Sequence, residues 1–354
     1  MNLNNYFKKE SPLLDMLGLG GGVGSSLLSR VAGTTVDELF STKLYSGNGG
    51  TQTITNDIDL SGEGGLVWTK CRSASQYHRL VDTARGVNRD LITNGTFSEQ
   101  NQDSSNSVSA FNSDGYNLGP DGAVNTSGED YVSWTFRKTE KFFDVVTYTG
   151  DGQTNRNIPH NLGSVPGFIV VKGLNFGSDP WYSYHRYTGN QGELRLSETD
   201  SGVTGSSRWA SFTPTSTYFR GDTAAINVNG RTYVAYLFAH DEQEFGASGN
   251  ESIIKCGGFT MGANTTISHT LGFQPQWILF KRSSAQSPWW IVDTTRGVSS
   301  SSYKVLFPNS ETAEETKNYT GLYPTSTGFT FDNTNNGNWN AGGTFIYIAI
   351  SDGS

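Results

Sequence analysis

A chain of 354 residues with a formal net charge of −8 and only 16% charged side chains has room for two or three domains with real cores. Its 43 Gly, 20 Phe, 16 Tyr and 8 Trp describe many short strands joined by tight turns; helical bundles need more Ala, Leu, Glu and Lys. The acidic balance with no basic cluster argues against a nucleic-acid partner, since counterion release on a phosphate backbone could not drive binding, and no run of about eighteen apolar residues offers a membrane span.

Residues 1–40 differ from the rest of the chain. Tyr6, Phe7, Leu13, Leu14, Met16 and Leu17 form a compact apolar cluster, and the run Gly18-Leu19-Gly20-Gly21-Gly22-Val23-Gly24 behind it removes defined structure. It lacks the preceding strand and spacing of a nucleotide-binding loop, and Met1–Glu10 is too polar for a signal peptide. An apolar cluster without a domain of its own needs a surface to cover, so residues 1–40 are expected to be a docking arm and tether, with an untethered, disordered leader as the competing reading. A short helix is expected between Ser25 and Phe40, with Leu27, Leu28, Val31, Val36, Leu39 and Phe40 on its apolar side.

Beyond the arm the chain repeats. Asn157-Ile158-Pro159-His160-Asn161-Leu162-Gly163-Ser164-Val165-Pro166-Gly167 leads into Phe168-Ile169-Val170-Val171-Lys172, and the same arrangement returns as Ile267 to Gly272 followed by Trp277-Ile278-Leu279-Phe280-Lys281. A weaker copy ends at Leu66-Val67-Trp68-Thr69-Lys70. The closing lysines lie roughly a hundred residues apart, the size of a small domain. Three modules are therefore expected at 41–140, 141–248 and 249–354. Short alternating strands between turn residues predict an all-β fold of three tandem antiparallel β-sandwiches, lectin-like or jelly-roll-like. With linkers as short as Arg137–Lys141, the expected arrangement is a rigid elongated array.

Few residues offer chemistry. Asp82-Thr83-Ala84-Arg85-Gly86 and Asp293-Thr294-Thr295-Arg296-Gly297 match, but no second acid or base recurs beside them, and they read as strand-ending turns in which Asp caps backbone N–H groups and pairs with Arg. His160 and His269 provide one imidazole per module, too few for a metal. Cys71 and Cys256 fall at different places in their repeats, against a disulfide or zinc site. No cofactor is implied. The pairs Trp181-Tyr182 and Trp289-Trp290 are the surface candidates: consecutive strand residues face opposite ways, and an exposed indole suits a sugar ring or another protein. Packing between modules is the competing reading of the same rings.

Taken together, Val145-Val146-Thr147-Tyr148-Thr149-Gly150-Asp151-Gly152, Ile158 to Gly167 and Tyr233-Val234-Ala235-Tyr236-Leu237-Phe238 resemble a repeated module of uncharacterised virion proteins of marine tailed phages, including cyanophages. The resemblance implies a particle component without enzymatic activity, made in the bacterial host cytoplasm and incorporated into the virion. Its partners would be other virion proteins of the tail, the portal region or the capsid, further copies of itself, such as a trimer, and a host-surface glycan or protein. A tail or fibre part for host attachment is the leading expectation; a capsid decoration or cement protein and a free carbohydrate-binding protein are the alternatives.

Overall fold

The computed structural model describes residues 33–101, 107–240, 243–262, 265–318, 321–334 and 343–353. The proposed docking residues Tyr6, Phe7, Leu13, Leu14, Met16 and Leu17 lie outside these. The described residues are all-β apart from two short turns of helix, at Val36–Glu38 and Gly122–Asn125.

Each module is organised by one antiparallel sheet with the same strand order. An opening strand (Phe40–Ser46, Phe143–Thr149, Ile254–Thr260) pairs with a closing strand (Asp130–Arg137, Thr232–Phe238, Thr344–Ser351). The closing strand pairs with an inner strand (Gly65–Cys71, Phe168–Gly173, Pro275–Arg282), and that with an outer strand (Arg79–Asp82, Tyr182–His185, Trp289–Asp293). First and last strands of a module are thus neighbours, which closes each repeat as a unit. A smaller sheet accompanies the large one: Gln52–Thr55, Gly115–Leu118 and Val108–Asn112 in the first module, Ile158–Pro159 with Tyr218–Phe219 in the second, and Thr266–Thr270, Gly328–Asp332 and Leu322–Thr325 in the third.

Alternation along the inner strands divides the core. In the first module Val67 joins Ile54, Tyr116 and Leu118 in a local cluster, whereas Leu66 and Trp68 enter a second, larger one. In the third, Ile278 and Phe280 pack locally while Trp277 and Leu279 enter that same larger cluster. Phe168 and Val170 meet them there. Phe136 shows how the three cores fuse: its ring centroid lies 5.0 Å from Phe40, 5.5 Å from Phe238 and 5.7 Å from Trp277, one partner from each module.

The expected elongated array is therefore corrected: the modules close around a common core. The apolar runs of the inner strands are covered on one face by their own module and on the other by the two neighbouring modules. At roughly 1.5–3 kcal/mol per fully buried large side chain, separating the modules would expose Leu66, Trp68, Phe168, Val170, Trp277 and Leu279 at a cost on the order of 10 kcal/mol, comparable to the stability of a whole domain. A closed apolar void of about 10 Å³ remains at the meeting point, at the limit for a single water.

The first module starts before residue 41. Val36, Leu39 and Phe40, expected on the apolar side of a helix in the arm, are buried in the common core at 2%, 0% and 2% exposure. Arg137 N–H bonds Leu39 O at 2.8 Å, which draws this segment onto the closing strand.

Candidate functional site

The contacts between modules repeat around the molecule. Backbone N–H groups of Gln76, Asp179 and Ser287 donate to the carbonyls of Glu311, Thr96 and Thr199 at 2.9, 3.3 and 2.8 Å. In return Glu314, Glu99 and Gly202 donate to the carbonyls of Arg72, Leu174 and Ser283 at 2.8, 2.8 and 2.7 Å. A ring N–H at the foot of each outer strand completes the set: His78 Nε2, Trp181 Nε1 and Trp289 Nε1 reach the carbonyls of Phe307, Ile92 and Arg195 at 3.0, 2.9 and 2.9 Å. In each case the first module engages the third, the second engages the first, and the third engages the second. Three equivalent interfaces joined head to tail form a closed ring with pseudo-threefold symmetry inside one chain.

The recurring turns lie within these interfaces. Asp82 accepts from Arg85 N and Nε at 3.0 and 2.6 Å, and Asp293 does the same from Arg296 at 2.9 and 2.6 Å. Both pairs are buried. Each also meets the closing strand of another module: Tyr236 Oη donates to Asp82 at 2.7 Å, and Trp134 Nε1 to Asp293 at 3.1 Å. His185 occupies the corresponding position in the second module and bonds Tyr347 O at 3.1 Å. The turn chemistry expected from the sequence is present, with the added task of joining modules.

The exposure on which a recognition role for Trp181, Tyr182, Trp289 and Trp290 rested is corrected. Their exposures are 0%, 8%, 1% and 9%, because both faces of the outer strands are covered, one by the module and one by the ring. His78, equivalent to the two tryptophans, accepts from Trp68 Nε1 on Nδ1 at 2.9 Å and donates from Nε2. Burial holds it neutral, well below its usual range.

Lys70, Lys172 and Lys281, which end the repeated segment, are fully buried. Lys70 Nζ donates to Cys71 O and Glu311 O at 2.8 and 3.0 Å, Lys172 Nζ to Asp179 O at 2.8 Å, and Lys281 Nζ to Ser287 O. Desolvation lowers each to about 8. They serve carbonyls at the ends of the inner strands and of the adjoining loops.

Beyond the lysine ends, loops of all three modules surround a depression of about 520 Å³. Asn94, Ser197 and Asn309 occupy equivalent places in it: their side-chain oxygens accept the backbone N–H groups of His78, Trp181 and Trp289 at 3.0, 3.3 and 2.8 Å. Thr96, Glu198 and Glu311 line it with them. Tyr77 and Phe97 complete the wall, 37% and 44% exposed, with ring centroids 6.0 Å apart in an edge-to-face arrangement. The sequence signal for this site was a lone Phe in the polar stretch Asn94-Gly95-Thr96-Phe97-Ser98-Glu99.

The first described residues enter at the other end. Gly33 N–H bonds Gly246 O, Gly246 N–H bonds Thr34 O, and Thr34 lines a cleft with Glu63, Arg137, Lys138 and Asn161. This cleft adjoins Gly65, the start of an inner strand whose far end carries Lys70. Five residues at about 3.3 Å each place the two ends roughly 17 Å apart.

Among the described residues no group of three or more His, Cys, Asp or Glu side chains could hold a metal ion, and no helix is long and apolar enough to cross a membrane. Cys71 and Cys256 are free and buried. His160 closes its turn, accepting Leu162 N–H on Nδ1 and bonding Thr215 O through Nε2, both at 3.2 Å; His269 packs against Phe259 at 4.3 Å.

No curated protein matches the sequence. A family profile described as a domain of unknown function, DUF7483, matches residues 36–353, from the first core residue to the end of the last sheet. That span takes in all three modules and their ring, and the chain belongs to this family.

Proposed function

We propose that the protein is a non-enzymatic structural component of a phage virion, a tail or fibre part held by its N-terminal arm and turning the axial depression toward a host surface. The observation that carries this reading is the polarity of the ring: the first described residues enter at one end, and a face built by loops of all three modules with exposed aromatic rings lies at the other. A body with one end committed to the arm leaves the opposite end available for a ligand. Several copies on one particle, as in a homo-oligomeric fibre, would convert weak individual contacts into avidity. We further read each module as a lectin-like β-sandwich, supported by clusters that draw side chains from both of a module's sheets, such as Val67 and Val81 with Ile54 and Tyr116.

The test is location and copy number on purified particles, by imaging and quantitative mass spectrometry, for the full chain and for a chain lacking residues 1–24. A handful of full-length copies at the tail, and none of the truncated chain, is expected. Tens to hundreds of copies over the head would favour a capsid decoration protein, absence from particles would return the chain to a free carbohydrate-binding protein, and normal occupancy by the truncated chain would remove the docking role of the arm.

A further inference from the structure

We propose that the axial depression binds one neutral saccharide per chain, with Phe97 and Tyr77 as its stacking wall. This deepens the attachment reading and rests on it for the source of the sugar; the site itself stands on its own geometry.

The polar groups are preset. Asn94 and Asn309 spend their Oδ1 atoms on the backbone N–H groups of His78 and Trp289, so their Nδ2 groups are the atoms left to donate into the depression they line. Glu198 and Glu311 supply carboxylate oxygens on the same wall. Amide donors beside carboxylate acceptors suit hydroxyl groups, which both accept and donate. Phe97 and Tyr77 offer exposed ring surface to the apolar C–H face of a pyranose.

Charge narrows the class. The two carboxylates repel an anion, while Lys70 and Lys172 are fully buried with their ammonium groups turned to carbonyls. Arg79, beside Tyr77, is paired with Asp90 at 3.6 Å. No cation is therefore offered to a phosphate or carboxylate ligand by these groups. The volume of about 520 Å³ falls in the range of small-ligand sites, roughly 300–1,000 Å³. The walls are the loops already held by the repeated interface bonds, so little ordering is left to accompany binding.

The symmetry is broken at the decisive position. Phe97, three residues beyond Asn94, corresponds to Asp200 beyond Ser197 and Thr312 beyond Asn309. One loop in three carries the ring, hence one ligand per chain.

The full chain is titrated with methyl glycosides of glucose, galactose, mannose and N-acetylglucosamine, and with sialyllactose and inorganic phosphate, by saturation-transfer NMR and calorimetry. At least one neutral glycoside is expected to bind with millimolar affinity and a stoichiometry of one. Phe97→Ala should weaken it tenfold or more, Phe97→Trp should retain it, and Tyr187→Ala, at an exposed ring elsewhere, should leave it unchanged, all with unaltered thermal midpoints. No binding by any neutral glycoside, binding indifferent to Phe97→Ala, or equal binding of the anions would overturn the proposal. Phe97-dependent binding by a chain absent from particles would sustain the site and reject the attachment reading; a particle-bound chain that binds none of the glycosides would do the reverse.

Discussion

Asp82 and Asp293 each face a buried guanidinium, and each accepts a further bond from another module. Removing the carboxylate leaves Arg85 with Glu99 as its remaining ion partner and Arg296 with Glu314, and strips the Nε donor and the bond from the other module of their acceptor, a loss of up to about 3–5 kcal/mol. Asp82→Ala and Asp293→Ala are therefore expected to lower urea midpoints sharply. Trp181→Phe and Trp289→Phe, which keep the ring and orphan one carbonyl, should cost about 1–3 kcal/mol. The buried lysines Lys70, Lys172 and Lys281 give stability a pH dependence. Their values of about 8 lie below the ordinary 10.5, so between these the unfolded chain binds more protons than the folded one, and stability rises with pH across that window. Tyr45, Tyr148 and Tyr236 are raised by burial and act oppositely above their ordinary value of 10, where only the unfolded chain ionises. Unfolding free energy measured against pH should climb from about pH 8 toward 10 and then fall, and Lys172→Met should reduce the climb by roughly a third. A profile flat over that range would contradict the burial of these groups.

The repeated openings Ser46-Gly47-Asn48-Gly49 and Thr149-Gly150-Asp151-Gly152 form equivalent turns for a steric reason. A Cβ on Gly47 would lie 2.1 Å from Thr126 O, and one on Gly150 2.1 Å from Val228 O. Gly150→Ala should destabilise by roughly 1–3 kcal/mol through backbone displacement, whereas Gly177→Ala, where a Cβ meets open space, should be nearly neutral; denaturant midpoints separate the two. Elements of this kind were readable in the sequence: the inner strands from their apolar runs and closing lysines, the turns from Asp and Arg three residues apart, the closing strands from Tyr233–Phe238 and its counterparts. The faces of those elements were not. Alternation says that Trp181 and Tyr182 point in opposite directions, but not that a neighbouring module covers the second face. For the same reason the axial depression was hidden, since Asn94, Ser197 and Asn309 are brought together only when the ring closes.

At the scale of the whole molecule, repetition at roughly hundred-residue spacing was legible and its closure was not. The bonds that close it join residues as distant as Lys70 and Glu311, and local patterning carries no information on such pairs. Closure also changes what a module is: with Leu66, Phe168 and Trp277 in a single cluster, a module cut from the ring exposes one face of its large sheet. Arg137–Lys141 is a short connection inside one body, where an array would make it a hinge.

Scanning calorimetry of the full chain tests that closure most directly. A shared core predicts one transition in which the calorimetric enthalpy equals the van't Hoff enthalpy. Two or three resolved transitions, each with the enthalpy of a domain of about a hundred residues, roughly 60–80 kcal/mol, would mean that the modules stand independently and that the ring is not the unit of the fold.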